Sequence, residues 1–132
     1  MKRMTMVVVV LALVMGLGGS AEAALVAYWR LDEGSGATAQ DSSGNNHHGT
    51  VIGPAWANDP DRGWCLSFDG VDDYVSVPTA ADLNVSAAMT VTAWIKAQTW
   101  PLEPWRGSIV SKDDWLAGAR GYCLRCGDGG RL

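Results

Sequence analysis

Residues 66–77, LSFDGVDDYVSV, constrain the fold of this chain more than any other stretch. The first three residues alternate apolar and polar, which is the period of a half-buried strand. Asp69-Gly70 interrupts the alternation with a dipeptide typical of tight turns, because glycine accepts a positive φ. Residues 74–77 favour extended backbone again, and Pro78 ends them because it cannot donate a ladder hydrogen bond. The pattern predicts a β-hairpin in which Gly70 holds a conformation that a Cβ would strain.

Further strands are predicted along the chain, and no helical periodicity follows the N-terminal segment. Residues 89–96 alternate cleanly, so that Met89 and Ile95 belong to a face expected in the core. Additional strands are predicted at residues 25–31, 50–52, 108–112 and 122–125, with a loop at residues 55–63. Together these patterns predict an all-β fold.

A family resemblance rests on four segments in one order. LSFDGVDDYVSVP resembles the signature segment of the laminin-G-like, pentraxin-like jelly rolls of the concanavalin A-like superfamily, and residues 25–36, 41–45 and 89–96 also fit that family. The resemblance implies a two-sheet antiparallel β-sandwich, a jelly roll. The family's later strands are not found, so residues 24–132 are expected to be the N-terminal part of an incomplete domain, with further domains expected downstream.

The N-terminal segment has the features of a secretory signal. A basic Met-Lys-Arg start precedes an apolar run too short to span a bilayer, and Ala21-Glu22-Ala23 is an A-x-A cleavage site. We expect residues 1–23 to be removed and the protein to be secreted or displayed at the cell surface; the alternative is an uncleaved membrane anchor. No membrane insertion is expected after cleavage.

Charge and cysteine usage limit the classes of partner. Residues 24–132 carry 8 basic and 13 acidic side chains, which argues against nucleic-acid binding and suits divalent cations. Cys65, Cys123 and Cys126 are an odd set for an exported chain. Because Cys123 and Cys126 lack the context of a redox or zinc motif, one structural disulfide with one remaining thiol is expected. The alternative is that the cysteines pair with partners in a missing C-terminal part.

Candidate calcium ligands lie in two polar turns. Asp69 and Asp72, next to Asp73, repel one another unless water, a cation or backbone N–H groups satisfy them. Asp41 opens a loop at residues 41–49 that is dense in side-chain oxygens, and related loops of the resembling family often hold a structural calcium. Asp41, Asp69 and Asp72 are therefore candidate ligands for Ca²⁺; the alternative is an Asx-turn without metal. The adjacent His47 and His48 are interpreted as solvated loop side chains.

Tryptophan content points to a class of ligand. Trp100, Trp105 and Trp115, three of the seven tryptophans, fall in predicted loops and are candidate ligand-binding residues, whereas Trp29 and Trp64 are assigned to the core. No pair of carboxylates is placed to flank a glycosidic bond, so no enzyme activity is expected. The predicted function is a non-catalytic, lectin-like module that binds a glycan or extracellular polymer. The alternatives are a structural or adhesive domain, or an accessory domain of a larger secreted glycoside hydrolase.

Overall fold

A computed structural model describes residues 24–85, 88–98, 107–114 and 119–126. The predicted signal, residues 1–23, lies outside the described residues. The chain divides into two compact units, Met1–Ser76 and Val77–Leu132. The described residues are mostly β, in small antiparallel sheets, which confirms the all-β prediction at this level. Within them, no helix is both long and apolar enough to cross a membrane.

A three-stranded antiparallel sheet in the first unit consists of β1 (Thr38–Ala39), β2 (Gly49–Ile52) and β5 (Tyr74–Ser76), in the order β1-β2-β5. Its registers pair Ala39 with Gly49 and Val51 with Val75, so these four residues share one face. Ala39 and Gly49 are buried, whereas the side chains of the opposite face are exposed. The alternation of burial confirms a strand at the predicted residues 50–52.

A β-hairpin in the same unit is formed by β3 (Ala55–Asp59) and β4 (Gly63–Ser67). The register pairs Trp56 with Leu66 and Asn58 with Trp64, which places these four side chains on one face of the hairpin. The prediction of a loop over residues 55–63 is therefore wrong for its first half. The run Ala-Trp-Ala-Asn-Asp has little β propensity of its own, and its pairing with β4 decides its conformation.

The second unit contains a 3₁₀ turn (Ala81–Leu83) and a hairpin of β6 (Ser108–Asp114) and β7 (Ala119–Arg125). The hairpin confirms the strands predicted at residues 108–112 and 122–125. The Cys126 N–H extends the ladder by donating to the Gly107 carbonyl at 2.8 Å. Leu83 and Cys126 are buried.

The predicted hairpin over residues 66–77 is wrong, although its turn is confirmed. Gly70 has a φ of +78°, as expected. However, β4 pairs with β3 and β5 pairs with β2, so the two strands belong to different sheets. Six residues separate Ser67 from Tyr74, which is more than the short loops that close most hairpins. The stretch is a connection between sheets.

Two other predicted strands are wrong. Residues 89–96 are described but form no strand, and Met89 and Ile95 are exposed instead of buried. Residues 25–31 contribute a single bridge, between Trp29 and Asp41, and Leu31 has a positive φ of 56°, which no regular strand contains. Alternation shows which side chains share a face but does not supply a partner strand.

Candidate functional site

The Asp41 carboxylate accepts four hydrogen bonds. Its Oδ1 accepts the N–H groups of Tyr28 and Ser43, both at 2.9 Å. Its Oδ2 accepts the Ser43 hydroxyl at 2.7 Å and the His47 N–H at 2.9 Å. Since a carboxylate offers about four lone-pair positions, these donors fill its in-plane acceptor capacity. Asp41 therefore joins its own loop to the segment at Tyr28.

Burial and hydrogen bonding together set the pKa of the Asp41 carboxyl. The residue is only 8% exposed. Burial by itself would raise the pKa of the Asp41 carboxyl, but the hydrogen bonds from Tyr28, Ser43 and His47 outweigh burial and hold that pKa well below its ordinary value. The anionic form is therefore the one that the fold stabilises.

This depressed pKa predicts a pH dependence of stability. The unfolded chain takes up the Asp41 proton near pH 3.8, whereas the folded chain does not. The stabilisation that the ionised Asp41 carboxylate gives to the fold is therefore complete above that pH and is lost as the pH falls below it. We expect the difference in unfolding free energy between wild type and Asp41→Asn to shrink as the pH falls from about 5 to about 2. Urea denaturation at several pH values measures it, with the exposed Asp32→Asn as control. A difference that stays constant with pH would contradict the assignment.

The two histidines of this loop have different environments. His47 is 9% exposed, so its interpretation as a solvated side chain is wrong, whereas His48 is exposed as expected. The Nδ1 atom of His48 accepts the Asp41 N–H at 3.0 Å. The loop is also held by Trp29, whose Nε1–H donates to the His47 carbonyl at 2.6 Å. Trp29 is half-buried and contributes a hydrogen bond as well as apolar surface.

A second group of acids lies in the connection between β4 and β5. Carboxylate oxygens of Asp69, Asp72 and Asp73 lie within 4.8 Å of one another. Val71 N–H donates to Asp69 Oδ1, and Asp69 N–H donates to Asp73 Oδ2, both at 2.8 Å. Backbone donors thus satisfy part of this cluster. The structure brings the candidate ligands Asp69 and Asp72 together and adds Asp73.

Asp41 does not belong to this acid cluster. Its carboxylate binds the backbone of its own loop, and its four acceptor positions are already filled by N–H and O–H donors. The geometry therefore favours the Asx-turn alternative at Asp41. Its assignment as a calcium ligand stays a prediction. What sequence reasoning missed is the donor set, of which Tyr28 lies 13 residues away.

The candidate ligand-binding tryptophans Trp100, Trp105 and Trp115 lie outside the described residues. Among the tryptophans that are described, Trp64 is 45% exposed, so its assignment to the core is wrong. Trp56 is half-buried and donates its Nε1–H to the Gly36 carbonyl at 2.8 Å. The β3–β4 hairpin therefore presents aromatic side chains against residues 34–36.

The three cysteines are free thiols in the structure, and the predicted disulfide stays a prediction. Cys123 is exposed and Cys126 is buried, as expected for residues three apart at a strand end. Cys65 is half-buried, and its Sγ lies 3.6 Å from the Ala57 carbonyl oxygen.

Comparison with protein-family models, curated proteins and solved structures found no match to this chain.

Proposed function

We propose that this protein is a secreted, non-catalytic binding module of lectin-like function that recognises a glycan or another extracellular polymer. The observation that carries the proposal is the exposure of aromatic side chains in both units: Tyr28, Trp64, Phe68, Tyr74 and Trp94. Aromatic rings combine a flat apolar face with a polar atom or edge, which suits ligands that carry both apolar and hydroxyl groups. The excess of acidic side chains disfavours a nucleic-acid ligand.

The fold that we propose is the two-sheet antiparallel sandwich of the laminin-G-like jelly rolls, with residues 24–132 as its N-terminal part. Small antiparallel sheets support this proposal, as do the four segments of resemblance. We propose removal of residues 1–23 on export, on the basis of the A-x-A site.

We also propose that the acid cluster takes a structural Ca²⁺. Asp69, Asp72 and Asp73 offer carboxylate oxygens, the ligand type that calcium prefers, and mutual repulsion at this separation amounts to about 1 kcal/mol per pair in water. Two of the oxygens already accept N–H groups, so the remaining oxygens, backbone carbonyls and water would complete the shell. The cation would supply charge neutralisation in this turn.

A specific observation supports the structural or adhesive alternative. Aliphatic side chains are also exposed, including Leu25, Val71 and Ile95. Scattered apolar side chains of this kind suit contact with a protein partner as well as with a glycan.

A glycan array with the secreted protein separates these functions. We expect retention of a defined set of polysaccharides, with weaker binding and a lower melting temperature after chelation of calcium, because a ligand of the native state stabilises it by mass action. The matched variant Asp72→Asn should lose the calcium effect on melting. Absence of binding to every glycan would favour the adhesive alternative, and a melting temperature indifferent to calcium would refute the cation site.

A further inference from the structure

One face of the indole ring of Trp64 packs against Gly34. A Cβ built on Gly34 would lie 2.8 Å from Cδ2, 2.9 Å from Cε2 and 3.1 Å from Cγ of the indole. Cδ2 is a ring-fusion carbon bonded to three ring atoms, so a group can approach it closely only from above or below the ring plane. The Gly34 backbone therefore covers one face of the ring.

We infer that the other face of the same ring is open to a ligand. Trp64 keeps 45% of its surface exposed although Gly34 packs against one face of its ring. Contact of one ring face with Gly34 restricts the rotation of the Trp64 side chain. A ring whose rotation is already restricted loses less conformational entropy when it binds a ligand.

A polar side chain lies next to Trp64 on the hairpin. Asn58 is the direct cross-strand partner of Trp64 and lies on the same face of the hairpin. Paired residues in antiparallel strands have Cβ atoms about 5 Å apart. The exposed Asn58 amide therefore offers both a hydrogen-bond donor and an acceptor next to Trp64.

The charges nearby restrict the ligand. Asp32 and Glu33 directly precede Gly34, and Asp59 and Asp61 lie at the turn of the hairpin, against the two cations Arg30 and Arg62. Arg30 is also paired with Asp32, at 2.6 Å. The excess of acid disfavours an anionic ligand such as a uronic-acid polymer.

We propose that Trp64 and Asn58 form a subsite for one neutral pyranose ring of a polysaccharide. The apolar C–H face of the sugar stacks on the open indole face, and its hydroxyl groups exchange hydrogen bonds with the Asn58 amide. The inference rests on the proposed glycan-binding function and names the residues of the described chain that carry it.

Affinity electrophoresis of the full chain tests the subsite, with soluble β-glucan, xylan and mannan as neutral probes and polygalacturonate as the anionic probe. We expect retardation by at least one neutral polymer and none by polygalacturonate. Trp64→Ala should weaken binding at least tenfold and Asn58→Ala a few-fold, while Trp64→Phe keeps part of the affinity because a smaller ring still stacks. Met89→Ala, at an apolar side chain 40% exposed in the other unit, is the control and should bind as wild type.

The outcomes test the proposed sugar subsite and the proposed glycan-binding function separately. If wild type binds a neutral polymer and both Trp64→Ala and Asn58→Ala bind equally well, the subsite is refuted and glycan binding stands. If wild type binds none of the neutral polymers, the subsite is refuted, and the glycan array decides separately whether the glycan-binding function is refuted as well. Far-UV circular dichroism checks that each variant is folded, and Asn58→Ala, which alters an exposed polar side chain, provides the test if Trp64→Ala does not fold.

Discussion

Replacement of Asp41 by alanine will lower the free energy of unfolding by about 2–4 kcal/mol, because a buried donor that loses its acceptor costs about 1–3 kcal/mol and a part-buried donor costs less. The carboxylate satisfies the N–H groups of Tyr28, Ser43 and His47, and alanine cannot accept any of them. The loss is a large fraction of the total stability of a small domain. Urea denaturation followed by tryptophan fluorescence measures it.

Amide hydrogen exchange tests the hydrogen bonds to Asp41 at individual residues. In wild type, the three N–H groups that donate to Asp41 should exchange slowly, and in Asp41→Ala they should exchange near the rate of an unstructured loop. The matched control is Asp32→Ala, which removes an exposed carboxylate paired with Arg30 and should cost less than about 1 kcal/mol. Equal denaturation midpoints for wild type and Asp41→Ala would show that the network contributes nothing to the fold.

Replacement of Gly53 by alanine will be more destabilising than the same change at Gly44. The two glycines have almost the same positive φ, +94° and +92°, so alanine meets a similar backbone penalty of about 1–2 kcal/mol at both. At Gly44 a Cβ enters open space, whereas at Gly53 it meets Asp73 Oδ1 and lies 3.0 Å from Cγ and 3.2 Å from the Asp73 Cα. The contact with backbone cannot be relieved by rotating a side chain.

The difference between these two variants isolates the contact with Asp73. We expect Gly53→Ala to cost about 1–3 kcal/mol more than Gly44→Ala, the range for forcing an extra carbon into a packed position. Because Asp73 Oδ2 accepts the Asp69 N–H, displacement of Asp73 should also loosen the acid turn. Denaturant midpoints measured in parallel provide the comparison, and equal costs at the two positions would show that Gly53 is not packed against Asp73.

Local features of this chain followed from its sequence. Glycine alone adopts a positive φ freely, so Asp69-Gly70 predicted a turn and Gly70 has that conformation. Alternating β-favouring residues predicted strands at residues 50–52, 108–112 and 122–125, where short-range pattern and pairing agree. The all-β class came from the same signals, since none of them has a helical period.

Pairing and exposure were decided by the tertiary structure. The 66–77 stretch was predicted to pair with itself, but β5 pairs with β2 instead because the chain returns Tyr74 beside Ile52. The sequence assigns Trp64 to the core, yet the side chain packs against Gly34 and keeps 45% of the residue surface exposed. Neither partner is adjacent in sequence, and a hydrophobic pattern contains no information on which distant backbone covers a ring.

For Asp41, part of the environment follows from the sequence and part from the tertiary structure. Its neighbours, rich in oxygen and glycine, marked the loop as a polar site, and that was readable from sequence. Whether its carboxylate meets a cation or backbone N–H groups depends on Tyr28, which the fold brings to it from 13 residues away. A carboxylate is attracted both to cations and to the partial positive charge of N–H groups. Only the three-dimensional path of the chain determines which of these lie next to it.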